Sequence, residues 1–120
     1  MTNSTSSREP SILERIVAQR RKDVKELKLS LPQKALEKRL REAPTTINFR
    51  KRLDEGRTSI IAEIKRASPS KGDIAITIDA AQQAALYAEG GAAGISVLTE
   101  PKWFKGNLED LQAARQMVEH

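Results

Sequence analysis

Two hydrophobic rhythms follow one another along this chain. In its first third, apolar residues recur at helical spacing, at Ile12, Leu13, Ile16, Val17, Val24 and Leu27, which is one face of a 3.6-residue repeat. Ser11 has the composition of a helix cap, with Glu14 three positions on completing a capping box. The opposite face carries Arg15, Arg20, Arg21, Lys22, Lys25 and Lys28. Ser30-Leu31-Pro32 breaks this helix and starts another, since proline suits a first helical turn. Leu36 and Leu40 share a face there, and Ala43-Pro44 stops the helix. Asn48 to Glu55 predicts a short third helix, with Gly56 beyond its end.

From Ser59 the rhythm changes. Ser59 to Arg66 predicts a strand, apolar enough at first to be covered on both faces. Asp79 then caps a helix with Gln82 at the box position, and Ala80, Ala84, Ala85, Leu86 and Ala88 give it a small-residue face. Gly90-Gly91 ends it. Gly94 to Leu98 predicts a second strand, and Asn107 a last helix with Asp110 at its third position and Leu108, Leu111 and Val118 on its apolar side. The βαβα order implies a parallel pair with a right-handed crossover.

A strand has a side-chain period of two, so Glu63 and Lys65 share one face and Ala62 and Ile64 the other. An acid and a base on the inner side of a strand are costly unless they pair or serve a site. Both readings stand on these residues alone: an ion pair, or part of a functional site. Ser68, Pro69, Ser70 and Gly72 follow with the hydroxyls and turn propensity of a mobile, ligand-facing loop. Ser70 by itself equally suits an ordinary turn.

Ile60 to Asp73, IIAEIKRASPSKGD, resembles the first barrel strand and following loop of the indole-3-glycerol phosphate synthase family. Gly94 to Asp110, GISVLTEPKWFKGNLED, resembles that family's second strand, loop and helix. The order of the segments, the gap between them and the helical N-terminal extension agree as well. The resemblance implies an α/β fold that is part of a (β/α)8 TIM barrel. Residues 59–120 would form its first two βα units, preceded by a helical extension over 11–58 and a disordered tail over 1–10. It implies a carboxy-lyase of tryptophan biosynthesis that closes the ring of 1-(2-carboxyphenylamino)-1-deoxyribulose 5-phosphate to indole-3-glycerol phosphate, with loss of carbon dioxide and water. It implies no metal and no organic cofactor. Lys65 matches a lysine that contacts anionic groups of the substrate, and Glu63 an active-site glutamate that helps position the reacting groups. Ser68, Pro69 and Ser70 match substrate-side positions of the first loop. Leu98 and Phe104 match the apolar pocket for the anthranilate ring. Trp103 reads as packing beneath the loop, Lys71 as a solvated loop charge and His120 as surface decoration.

Composition narrows the picture. With 120 residues the chain is too short for a whole (β/α)8 barrel, which takes roughly 200 or more. Its end at His120, before a third strand, predicts a fragment or split gene product. The lysine expected as general acid on a third strand and the glutamate expected as base on a fourth lie beyond it. Such a chain would be inactive alone and completed by a C-terminal barrel part. Absence of cysteine suits a cytoplasmic protein, and no apolar run approaches the roughly 18 residues of a membrane span. Charge is uneven. Residues 1–58 hold 15 Lys and Arg against 8 Asp and Glu, and residues 59–120 hold 6 against 8. The basic half reads as a solvated helix face, or as a module for nucleic acid. With one Trp, one Tyr and two Phe, stacking platforms for bases are scarce, and no nucleic-acid partner is expected. Phosphoribosylanthranilate isomerase, another phosphate-handling barrel, is the nearer alternative; the helical extension and the E-x-K-R-x-S-P-S stretch count against it.

Overall fold

Ser11 starts the first helix as its pattern predicts. In the computed structural model, which describes residues 8–118, its hydroxyl accepts from Glu14 N while the Glu14 carboxylate accepts from Ser11 N. The helix, α1, runs Ile12–Ser30 and α2 runs Gln33–Arg41 after Pro32. Neither helix has a buried residue, and Leu40 is 72% exposed, so within this unit the apolar stripes remain uncovered. The expected disordered tail lies mostly outside the described residues, as does His120; residues 8–10 carry no regular structure.

Packing divides the chain after Thr45. The second unit opens with α3 (Phe49–Leu53), capped by Asn48 Oδ1, which accepts from Lys51 N at 3.0 Å. Gly56 adopts the left-handed conformation two residues past the cap at Asp54. Its sequence position falls in the expected helical extension over 11–58, but this helix packs with the second unit, at Ala93 and Gly94. Its Phe49 ring lies against Gly94, where an added Cβ would come within 2.5 Å, and Arg52 Nε donates to Ala93 O at 3.0 Å.

Two strands follow, β1 (Ile61–Ile64) and β4 (Gly94–Val97), paired in parallel with Glu63 opposite Ser96 and Ile64 opposite Val97. Between them comes a small antiparallel hairpin, β2 (Ala67–Ser68) with β3 (Gly72–Asp73). The ligand-facing loop expected after the first strand is a tight turn, in which Ser68 Oγ accepts from Lys71 N at 3.2 Å. Gly72 closes the turn at φ +66, a conformation that costs glycine little and other residues more.

The two helices that follow the strands, α4 (Ala80–Glu89) and α5 (Leu108–Met117), are capped by Asp79 and Asn107 as expected. Asp79 Oδ1 accepts from Gln82 N and Asn107 Oδ1 from Asp110 N. The core is small: Ile64, Ala80, Ala84 and Ala114 are buried, with Ile78, Tyr87, Ile95, Val97 and Val118 packed around them. Alanines let the helix backbones approach the sheet closely. Leu86 is 60% exposed because the inward row of α4 is Ala80, Ala84, Tyr87, at helical spacing, and Leu86 lies off it. Leu108 and Leu111 are exposed too; Ala114 and Asp110 take the inward positions of α5. Helices α4 and α5 cover one face of the β1–β4 pair, while the other meets Phe49 of α3 at Gly94 and leaves Glu63 and Ile61 exposed, unlike the doubly covered strand that its apolar run suggested.

Candidate active site

The uncovered face of the sheet carries the polar residues. Ile64 and its register partner Val97 point to the helices, so alternation sends Glu63 and Ser96 the other way. There Lys65 Nζ lies 2.9 Å from Glu63 Oε1, and Ser96 Oγ donates to Glu63 Oε2 at 3.1 Å. Both charged side chains are partly exposed, 35% for Lys65 and 43% for Glu63. The hydrogen bond from Lys65 holds the Glu63 carboxyl below its ordinary pKa, with Ser96 adding to the effect and partial desolvation opposing it. Tyr87 OH fixes the strand from behind by donating to Glu63 O at 3.0 Å.

One residue on, Arg66 turns to the helix side. Its Nε and Nη2 each donate to a carboxylate oxygen of Asp110 at 2.8 Å, and its Nη1 donates to Ile76 O at 2.8 Å. This fork is largely buried, with side chains 15% and 12% exposed, and Asp110 pushes the Arg66 pKa further up. It ties the C-terminal end of β1 to the first turn of α5. Lys65 is therefore held between two neighbours with opposite assignments, Ile64 and Arg66 both turned toward the helices.

The other residues expected at the site sit on the two loops at the same end of the strands. Ser68 is half-buried in the hairpin, its Oγ 3.4 Å from Ser70 Oγ, while Pro69 and Ser70 are exposed at its tip. Among the described residues no hydrogen bond joins these serines to Glu63 or Lys65. Leu98 extends the parallel ladder by donating its N–H to Ile64 O at 3.1 Å, which keeps it on the face of Ser96. Phe104 is half-buried in the loop after β4. Lys102 Nζ lies 5.1 Å from the Trp103 ring centroid, a cation–π distance. Lys105 Nζ pairs with Asp73 Oδ1 and bridges the two loops.

Three contributors escaped the sequence reading. Ser96 had a signal, being the polar position in an alternating strand opposite Glu63. Asp110 was assigned a capping-box place, and nothing local pointed to a partner 44 residues away. Glu100 looked like any loop acid, yet its carboxylate accepts from three backbone amides. Among the described residues no cluster of His, Cys, Asp or Glu has the arrangement of a metal site, and no helix is long and apolar enough to cross a membrane.

These elements form a small α/β assembly, with ionisable and hydroxyl groups gathered at the C-terminal ends of parallel strands, where barrel enzymes keep their sites. The model of the indole-3-glycerol phosphate synthase family, a family of TIM barrels, matches residues 13–120, and the chain belongs to that family. It is 51% identical over 99% of its length to a multifunctional tryptophan biosynthesis protein of Schizosaccharomyces pombe, of which it covers 17%. A protein of the same description from Pichia angusta is 48% identical over 98% of the chain, which covers 34% of it. The indole-3-glycerol phosphate synthase of Exiguobacterium sibiricum is 43% identical over 91% of the chain, which covers 40% of it. The chain thus spans well under half the length of these relatives.

Proposed function

We propose that this chain supplies the first two βα units, residues 59–120, and the helical extension, residues 11–58, of a (β/α)8 indole-3-glycerol phosphate synthase. The reaction is closure of 1-(2-carboxyphenylamino)-1-deoxyribulose 5-phosphate to indole-3-glycerol phosphate, one carbon dioxide and one water leaving. The Glu63–Lys65 pair on the open face of β1 carries this reading. A helix-covered face stabilises a fold; a paired acid and ammonium on the uncovered face, flanked by a serine, suits an anionic ligand.

In this reading Lys65 exchanges its contact with Glu63 for an anionic group of the substrate. Glu63, held ionised by Lys65 and Ser96, orients the lysine and the substrate amine. Ser68, Pro69 and Ser70 line the substrate side of the first loop, and Leu98 and Phe104 receive the anthranilate ring. Turnover also needs a proton donor and acceptor within hydrogen-bond reach of the reacting atoms. The described open face offers one acid and one lysine, already paired with each other. A complementing C-terminal barrel part, whose strands add beside β4, would provide the remaining groups and the phosphate site.

The test is co-expression of the 120-residue chain with a segment supplying the remaining strands, in a host that requires tryptophan. Growth without tryptophan is expected with the native chain and lost with Lys65→Met at equal soluble level. Equal growth with Lys65→Met would refute the role given to the pair.

A further inference from the structure

The loop between β4 and α5 is built around one carboxylate. Glu100 Oε1 accepts from Lys102 N at 2.9 Å, and Glu100 Oε2 accepts from Trp103 N at 2.6 Å and from Phe104 N at 3.1 Å. Successive amides converging on an anion form a nest, and bonds to a charged acceptor are about twice as strong as neutral ones. The loop is then closed by Gly106 N, which donates to Glu100 O at 3.0 Å. Gly106 is buried so tightly on Leu98 that an added Cβ would lie 1.8 Å from Leu98 O. Between them Lys105 holds φ +52, a left-handed conformation that a non-glycine residue keeps only where its surroundings over-determine it. The two apolar site residues, Leu98 and Phe104, are therefore members of one clasp centred on Glu100.

We propose that Glu100 is a positioning residue for the aromatic part of the ligand, its carboxylate pre-setting Phe104 and the Leu98 segment before the ring arrives. The role rests on the reading of the site given under Proposed function. Glutamine cannot replace the carboxylate: its single oxygen can serve Trp103 N and Phe104 N, but its NH2 would face the Lys102 N–H, donor against donor.

The experiment uses the 120-residue chain, whose one tryptophan, Trp103, lies inside the clasp and reports on it by fluorescence. Native chain, Glu100→Gln, Phe104→Leu and the double variant are compared for melting, Trp103 emission and binding of anthranilate. Expected for Glu100→Gln are near-native melting, shifted Trp103 emission and anthranilate affinity lower by about tenfold, the scale of one lost charge-assisted bond. In the Phe104→Leu background the same change should cost anthranilate affinity nothing further, because coupled residues are not additive. A loss of anthranilate affinity that tracks a lower melting temperature and persists in the Phe104→Leu background would overturn the proposal and leave Glu100 a stabiliser of the turn. So would unchanged emission together with unchanged anthranilate binding. A native chain that ignores anthranilate altogether overturns the ring pocket itself, and with it the reading of the site. Should Glu100→Gln fail to melt cooperatively, Glu100→Asp, which keeps the charge on a shorter arm, carries the same comparison.

Discussion

The two faces of the β1–β4 pair hold opposite kinds of residue at adjacent positions. Ile64 is 2% exposed against alanines of α4 and α5, while the Glu63 carboxylate, one residue earlier, bonds Lys65 and Ser96 and lies 43% exposed. One face is where the fold gains its stability; the other contributes little to it and is the face to which Proposed function assigns the substrate. If so, substitutions one residue apart should separate stability from binding.

The largest expected effect is on the covered face. Ile64→Ala removes the largest fully buried side chain and should cost about 3 kcal/mol in denaturant unfolding, enough to abolish the cooperative transition of so small a core. A loss under about 1 kcal/mol would mean that the helix side is not the core. Asp110→Ala comes next, at about 2 kcal/mol, because it strands Arg66 with two lost bonds in a largely desolvated place. Asp110→Asn, which still accepts from Arg66, should cost less, and the difference sharpens the assignment to charge.

On the open face the order reverses. Glu63→Gln should change unfolding free energy by less than about 0.5 kcal/mol, since partly exposed pairs contribute little. Binding of an anionic ligand should fall by about tenfold as Lys65 loses its orienting partner. The smallest effect is the pH dependence of the pair. The Glu63 pKa is depressed in the folded chain below its ordinary 4.5, so its contribution is fully present above that value. It is lost as pH falls through the folded value, and Glu63→Gln should flatten stability only in that acidic window.

The sequence displayed this contrast unevenly. Alternation in IIAEIK placed Glu63 and Lys65 opposite Ile64 with no structural help, because a period of two is local. Caps at Ser11, Asp79 and Asn107 were equally legible, each being a side chain and an amide three residues apart. The stretches that mark the family also contain both loops at the C-terminal ends of the parallel strands. What stayed hidden depends on distance or on main-chain geometry. The Arg66–Asp110 fork joins residues 44 apart, and the Glu100 nest consists of backbone amides that no residue pattern advertises. Leu86, Leu108 and Leu111 misled in the other direction, since hydrophobicity alone does not say which helix row faces two short strands.

The most direct test of the division between faces is backbone amide mapping of the 120-residue chain titrated with 1-(2-carboxyphenylamino)-1-deoxyribulose 5-phosphate. Shifts concentrated at Glu63, Lys65, Ser68, Ser96, Leu98 and Phe104, with Ala80, Ala84 and Ala114 unmoved, are the predicted result. Shifts centred on the helix-covered core or on α1 and α2, or none at saturating ligand, would contradict it.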